Sequence, residues 1–247
     1  MENTIVHKTG YYAALGTVAL TVLTFGIAFM TPPLSGPYCA GGCFSYPYSD
    51  IAVRFPRDYY WMVPAILLSL VYYALMASIH YSAPAGRKIF SHLGLSFALI
   101  STATLMIDYF IQLSVIQPSL LQGETDGIAL LSQFNAHGVF IVLEEIGFSM
   151  MSLSMLCMAP VFVGKAATEK AIRWLFVGCF FLTVLAFVFY SATYGVQREY
   201  RFEVAAISIN WLTLIAAGAL LSRYFRRALS ESSPQKMKSV SRQSAGV

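Results

Sequence analysis

Two adjacent acids, Glu144 and Glu145, lie inside an apolar stretch, residues 137–163, that is long enough to cross a membrane. A charge at the centre of a bilayer costs roughly 2.5 to 3.5 kcal/mol on insertion scales, so at least one acid needs a partner, a proton or water. Carboxyl groups in such places bind cations, relay protons or act as general acids. The polar chemistry of the chain is therefore expected near these two residues.

Other polar side chains fall at a similar depth in neighbouring apolar stretches. Asp108 belongs to a stripe with Ser101, Thr104 and Gln112 at helical spacing, which faces protein or water rather than lipid. His137 precedes Glu144 by seven residues, so a helix would place the two on nearly the same face. The candidates for ligand binding or proton relay are Asp108, Gln112, His137, Glu144, Glu145, Tyr190, Tyr194, Glu203 and Asn210.

These candidates have a plainer interpretation, a buried hydrogen-bond network that only fixes helix packing. For Gln112, Tyr190 and Asn210 taken singly, packing is the commoner role. For the acids, function is favoured, because no Lys or Arg within the apolar stretches balances Asp108, Glu144 and Glu145. We expect the acids to share protons, and Glu144, on the His137 face, to matter more than Glu145. No metal and no cofactor is predicted, since one His with two acids is a weak ligand set.

The elements that carry these residues are predicted to be transmembrane helices. Of 247 residues, 57% are hydrophobic and 11% charged, which is outside the range of soluble domains. Six apolar stretches are each long enough to span a bilayer. The fold class expected is an all-α integral membrane bundle over residues 1–227. The predicted helices are residues 10–31, 59–81, 91–117, 137–163, 174–195 and 202–223.

The positive charges predict the orientation of the bundle. Twelve of the sixteen Lys and Arg residues fall on the side of the termini, so both termini are expected in the cytoplasm of a bacterial cell. Most acids fall on the other side or in the outer halves of helices, so the candidate residues would line an outward-facing polar pocket. Residues 228–247 are expected to form a disordered basic tail that lies on anionic lipid. The net positive charge of the chain is explained by this orientation and does not indicate that the protein binds nucleic acid.

The first loop on the predicted outer side contains Cys39 and Cys43. On the extracytoplasmic face of a bacterial-type membrane, two thiols this close in sequence are expected to form a small disulfide. Metal binding or redox chemistry is the alternative, although neither a CxxC motif nor a nearby His accompanies the pair.

Three segments carry a resemblance to other proteins: RFPRDYYWMVPAILL from Arg54, IQPSLLQGETDGIALLSQFNAHGVFIVLEEIGF from Ile116, and YRFEVAAISINW from Tyr200. In these segments the chain resembles a set of uncharacterised bacterial multi-pass membrane proteins. The resemblance extends over most of the chain and implies a six-helix protein of the bacterial inner membrane. It implies no activity, and no nucleotide, protease or HExxH motif is present.

Three functions fit this pattern, and whether the protein is an enzyme stays open. The first is binding or transport of a small cationic or proton-coupled ligand, with a homo-oligomer as one way to supply a pathway. The second is a membrane-embedded enzyme acting on a lipid or isoprenoid-like substrate, with a protonated carboxylic acid as general acid. The third is a non-catalytic sensor or assembly subunit. The expected partners are the lipid bilayer and a small-molecule or lipid ligand.

Overall fold

The computed structural model describes residues 2–164 and 166–244. All regular structure among these residues is helical, and they form no strand. The helices are α1 (Glu2–Met30), α2 (Met62–Ser82), α3 (Lys88–Ile111), α4 (Gln117–Leu121), α5 (Ile128–Leu131), α6 (Val139–Met158), α7 (Ala167–Tyr194) and α8 (Tyr200–Ser244). The six long helices are apolar and long enough to span a membrane, so the predicted six-helix transmembrane bundle is confirmed. The side of the membrane on which the termini lie stays a prediction.

Shorter segments connect or extend these helices. The 3-10 segments are Gly36–Tyr38, Ser49–Arg54, Arg57–Tyr59, Ala85–Arg87, Ala159–Val161 and Gly195–Gln197. The chain stays helical to Ser244, past residue 228 where the predicted tail begins. The disorder of that tail stays a prediction, and residues 245–247 lie outside the described residues.

Helix α6 occupies the centre of the bundle. It contacts α2, α3, α7 and α8, while α1 closes the ring by packing on α2 and α8. Six crossings put both termini at one end of the bundle, called here the terminal end. The loop with Cys39 and Cys43 lies at the opposite end, called here the disulfide end. The first turns of α6 and α8 begin at the disulfide end, so acids near those turns lie in the same half.

Helices α3 and α6 pack closely because small residues face each other. Ser154 donates a hydrogen bond to the carbonyl of Gly94 at 2.7 Å, and Ser101 donates to the carbonyl of Gly147 at 2.8 Å. Hydroxyl-to-carbonyl bonds and glycines that permit backbone approach are the usual means of joining helices in lipid, where the hydrophobic effect does not drive association. This contact sets the position of α6 relative to Asp108 on α3.

A π-helical segment, Gln112–Ile116, interrupts the third span just after Asp108. Pro118 follows it, and proline has no N–H to donate to the carbonyl four residues earlier, at Ser114. A wider turn before such a proline is one of the known causes of local helix distortion. The predicted span at 91–117 is therefore continuous in direction but not regular in its hydrogen bonding.

The loop at the disulfide end is tied down by covalent and ionic contacts. Cys39 and Cys43 form a disulfide, as predicted. Arg54 makes two hydrogen bonds to the buried carboxylate of Asp58, at 2.7 and 3.1 Å, and this bonding raises the pKa of the Arg54 guanidinium. Phe44 packs edge-on against Phe134, so the loop also contacts the segment before α6. The loop is thereby held over one end of the bundle.

We predict that Gly94→Ala destabilises the bundle. A Cβ at position 94 would lie 2.8 Å from the Met158 side chain and 3.0 Å from the carbonyl oxygen of Ser154, so α3 and α6 would have to separate. The expected loss is about 1–3 kcal/mol, as for overpacking elsewhere. It is measured as a fall in the thermal unfolding temperature of the detergent-purified protein.

Gly178→Ala is the matched control, because a Cβ there meets no atom within 4 Å. That variant is expected to unfold at the wild-type temperature or slightly above it, since alanine favours the helix. Equal unfolding temperatures for both variants would contradict the close α3–α6 contact.

Candidate functional site

Glu144 is fully buried in the second turn of α6. Its sixth position in the helix places it about 8 Å below the helix start, at 1.5 Å per residue. Tyr109 on α3 donates a hydrogen bond from its hydroxyl to Glu144 Oε1 at 2.8 Å. Among the described residues, Glu144 Oε2 has no hydrogen-bond partner. One oxygen of this carboxyl group therefore accepts a hydrogen bond from Tyr109, and the other can be paired only through a proton on a neighbouring carboxyl group.

Two further acids converge on Glu144. Glu203, in the first turn of α8, lies within hydrogen-bonding range of the Glu144 carboxyl group. Asp108 on α3 is buried within electrostatic range of both glutamates. Asp108 Oδ2 and Glu203 Oε2 also have no partner in the part of the chain that the structure describes. We call Asp108, Glu144 and Glu203 the acid cluster.

A cavity of about 440 Å³ opens beside the acid cluster. Glu144 and Glu203 line it, whereas Asp108 lies behind Glu144 and does not. The walls are mostly apolar and rich in aromatic rings, and they come from α1 and the loop after it, from Trp61 just before α2, from the segment before α6, and from α6 and α8. The aromatic residues lining the cavity are Phe25, Phe29, Tyr38, Trp61, Phe134, Phe140, Tyr200 and Trp211. A volume of this size suits a small organic ligand.

The mouth of the cavity lies at the disulfide end of α1. Phe29, one residue before the end of that helix, lines the cavity and is 86% exposed. Tyr38 from the loop is also at this rim, where partial burial raises the pKa of its hydroxyl and keeps it protonated. Pro32 and Pro33 complete the rim on the loop side. The cavity therefore opens at the disulfide end of the bundle.

Polar groups along the cavity wall bond to one another. Ser35 and Tyr200 are joined through their hydroxyl groups at 2.7 Å, and Tyr200 donates to the carbonyl of Gln133 at 3.0 Å. These bonds connect the loop, the first turn of α8 and the segment before α6. These polar groups of the wall are therefore bonded within the protein. The charged residues of the lining are Glu144 and Glu203.

Glu145, next to Glu144 in sequence, has a different environment. Arg198, in the turn between α7 and α8, donates to both of its oxygens, and Arg198 Nη1 lies 3.4 Å from Ser191 Oγ. The guanidinium also lies over the rings of Phe187 and Phe202, 5.0 and 5.7 Å from their centroids. The cation that balances Glu145 thus comes from a turn outside the apolar stretches, where the expectation about Lys and Arg did not apply. Arg198 and Glu145 thus form a partly buried ion pair.

Gln112 and Asn210 are buried and bonded within the chain. Gln112 donates to the carbonyl of Leu131 at 2.7 Å and accepts from the backbone of Gln133 at 3.0 Å, which fixes the segment before α6. Asn210 donates to the carbonyl of Ala206 at 2.9 Å, one turn earlier on α8. Neither side chain lines the cavity.

His137, Tyr190 and Tyr194 also lie apart from the cavity lining. His137 is exposed and precedes α6, which begins at Val139, so the expectation that it shares a helical face with Glu144 is wrong. Tyr190 and Tyr194 stack on each other on α7 with ring centroids 6.2 Å apart, and Arg201 lies over the Tyr194 ring. No three His, Cys, Asp or Glu residues of the described chain are arranged to hold a metal ion.

Several residues of the site have no distinct sequence signal. Tyr109, Trp61 and Trp211 lie within apolar stretches, where an aromatic side chain can equally face lipid, the core or a cavity. For Tyr109 the available clue is its depth, which it shares with the adjacent Asp108. Ser35 and Tyr200 are brought together by the loop, whose path the sequence pattern does not predict.

No known protein family, curated protein or solved structure matches this chain. The functional argument therefore depends on the geometry of the acid cluster and its cavity.

We predict that the Glu145–Arg198 pair stabilises the junction of α6, α7 and α8. Arg198→Met leaves the mostly buried Glu145 without its partner, at an expected cost of about 2 kcal/mol. The double variant Glu145→Gln with Arg198→Met removes both charges and should recover part of that loss. Thermal unfolding of these two variants and of Glu145→Gln alone completes the double-mutant cycle that isolates the coupling.

Arg57→Met is the matched control, because Arg57 is exposed at the same end of the bundle. Its unfolding temperature is expected to stay near wild type. If Arg198→Met were as stable as this control, the pair would have no structural role.

Proposed function

We propose that this integral membrane protein binds a small organic cation in the cavity beside Glu144 and Glu203, in exchange for a proton. The observation that carries the proposal is the pair of buried, unpartnered carboxyl oxygens on two glutamates that line an aromatic cavity. A buried carboxylate without a cation or donor is strongly unfavourable. Without a bound cation the glutamates must therefore hold protons, and a cation can replace one of them.

The lining of the cavity favours a cation over an anion or a neutral polar ligand. The residues lining it include two acids and no Lys, Arg or His. Aromatic faces attract cations, by about 2 kcal/mol or more where water is excluded. Trp61 and Trp211 both line the cavity, and tryptophan is the most favourable ring for this contact. Carboxylate and aromatic groups together thus match an organic ammonium group.

The acid cluster supports proton exchange. Three carboxyl groups that interact electrostatically cannot all be ionised without strong repulsion, so they hold protons in common. A cation that enters the cavity stabilises the ionised form and releases a proton. Asp108, behind Glu144, is a third group over which the remaining proton can be distributed.

An assembly role and a complete transport path are less well supported than ligand binding. An assembly role requires acids that face outward, whereas Glu144 and Asp108 are buried inside the bundle. A transport path would have to continue toward the terminal end, where buried Phe148, Met151 and Met155 fill the α6 core. The proposal is therefore limited to binding from the disulfide end.

An acid-catalysed reaction on an isoprenoid-like substrate is the second candidate. The observation that favours it is the apolar cavity directly beside Glu144, which has room for a hydrocarbon chain. In that case a protonated Glu144 or Glu203 would act as general acid, and aromatic rings would stabilise a carbocation.

We further propose that the protein lies in the bacterial inner membrane with the disulfide end outside. The excess of Lys and Arg at the terminal end and the disulfide at the opposite end support this orientation.

We predict that organic cations change the tryptophan fluorescence of the purified protein. Trp61 and Trp211 line the cavity, while Trp174 is 68% exposed elsewhere and is best replaced by Phe in the reference protein. Titration with arylalkylammonium ions is expected to give saturable binding that weakens as pH falls, because protons compete for the carboxylates. Exchange of one proton corresponds to as much as a tenfold change in Kd per pH unit.

Glu144→Gln is expected to reduce this pH dependence, because Glu203 then remains as the one ionisable group of the lining, and to weaken binding at least tenfold. Glu124→Gln, in an exposed loop, controls for net charge and should behave like the reference protein. Glu145→Gln should also retain binding when the variant is folded, because Arg198 rather than the cavity engages that residue. Saturable binding that survives in Glu144→Gln with unchanged pH dependence would contradict the proposal.

A further inference from the structure

Two buried carboxyl oxygens beside the cavity have no donor other than a proton that the two glutamates carrying them can share. Glu144 Oε2 and Glu203 Oε2 are buried without a partner among the described residues, and both side chains line the cavity. The Tyr109 hydroxyl is already used by Glu144 Oε1. Ionised carboxylates accept hydrogen bonds and cannot donate them. A ligand that displaces the proton between the glutamates must therefore bring its own donors.

This requirement separates classes of organic cation that carry the same charge. A primary ammonium group has three N–H donors, so it can bond Glu144 and Glu203 at once, and a secondary ammonium has two. A quaternary ammonium has none and would leave both acceptors unpaired. A buried polar group without its partner reduces affinity by roughly tenfold to a hundredfold. The site therefore favours cations that donate hydrogen bonds.

The walls indicate what the rest of the ligand is. Ser35 and Tyr200 bond each other, Tyr200 also bonds the carbonyl of Gln133, and Thr31 donates to the carbonyl of Ile27. Beyond these groups the cavity offers mainly aromatic faces. A second ammonium group would lie far from the two glutamates, which are the charged residues of the lining. The ligand body is therefore apolar, and polyamines are disfavoured.

The route of entry agrees with this ligand class. Phe29 marks the mouth of the cavity at the end of a membrane-spanning helix and is 86% exposed. An amine with an apolar body concentrates at the membrane interface, with its charge near the headgroups, and so reaches this mouth directly. A hydrophilic cation does not gain from an apolar mouth.

We propose that the cavity selects primary and secondary amines that carry one charge and an aromatic or alkyl body, through N–H donation to Glu144 and Glu203. This inference rests on the proposed cation binding and adds its specificity. The atoms balance in the exchange: the ammonium keeps its protons, and the proton shared by the glutamates leaves to solvent.

The test compares three probes with one body, 4-phenylbutylammonium, its N-methyl form and its N,N,N-trimethyl form. Binding to the full-length protein in lipid nanodiscs is measured by tryptophan fluorescence in the Trp174→Phe background. The primary and secondary amines are expected to bind at least tenfold tighter than the trimethyl form. Spermidine is expected to bind more weakly than 4-phenylbutylammonium.

Glu203→Gln provides the matched variant. Its amide keeps the side-chain shape, and its NH2 group replaces one of the two unpaired oxygens and can donate to the other, so neither acceptor then needs a donor from the ligand. The preference for primary over quaternary amine should shrink in this variant, to a ratio several-fold below that of the reference protein. Unchanged thermal unfolding and tryptophan emission without ligand show that the variant is folded, and its binding ratio is then compared with the reference protein at equal pH.

The two proposals fail in different ways. If the trimethyl probe binds as tightly as the primary amine, and both are lost in Glu144→Gln, the donor requirement is wrong and cation binding stands. If a ratio above tenfold is found but is unchanged in Glu203→Gln, the assignment of the donors to this pair is wrong. If no probe binds at any pH tested, the proposed function itself is overturned, and the amine selectivity with it.

Discussion

A carboxyl group removed from water must be protonated, bonded to several donors or placed beside a cation, and this requirement organises the disulfide half of the bundle. The penalty for an ionised group is several kcal/mol even after the surroundings relax. Within the described chain, the neutral donor that serves Asp108, Glu144 and Glu203 is Tyr109, and it donates to Glu144 alone. That single hydrogen bond cannot offset three buried charges. Protons on the carboxyl groups, or a cation beside them, are the remaining solutions.

Two neighbouring acids on helix α6 are neutralised in different ways. Consecutive residues on a helix point about 100° apart, so Glu144 faces α3 and the cavity while Glu145 faces α7. Arg198 reaches Glu145 because the turn before α8 brings its guanidinium over Phe187 and Phe202. Glu145 is thereby neutralised by the chain itself, and Glu144 is left for a proton or a ligand. The same pairing anchors the start of α8, where Glu203 lies.

The sequence predicted the depth of the acids better than their surroundings. Helix direction placed Asp108, Glu144 and Glu203 in one half of the bundle, because span length and loop position alone determine depth. Rotation about each helix axis was harder to predict. Spans such as α7 are apolar on nearly every face, so periodicity does not separate lipid-facing from buried positions. His137 illustrates the limit: its spacing to Glu144 suggested one face, but the helix begins two residues after it.

Loop residues decide whether the acids face a cavity or a sealed core. Pro32, Pro33 and Ser35 line the cavity, and Ser35 meets the Tyr200 hydroxyl on α8. The nearby disulfide and the Arg54–Asp58 pair restrict this loop without touching the acids. Helix packing therefore supplies the charge and its depth, while the loop supplies the mouth and one wall. Changes in the loop sequence would alter the size of the cavity, and so of the ligand, without altering the acid cluster on the helices. This is the usual division between a rigid scaffold and a recognition loop.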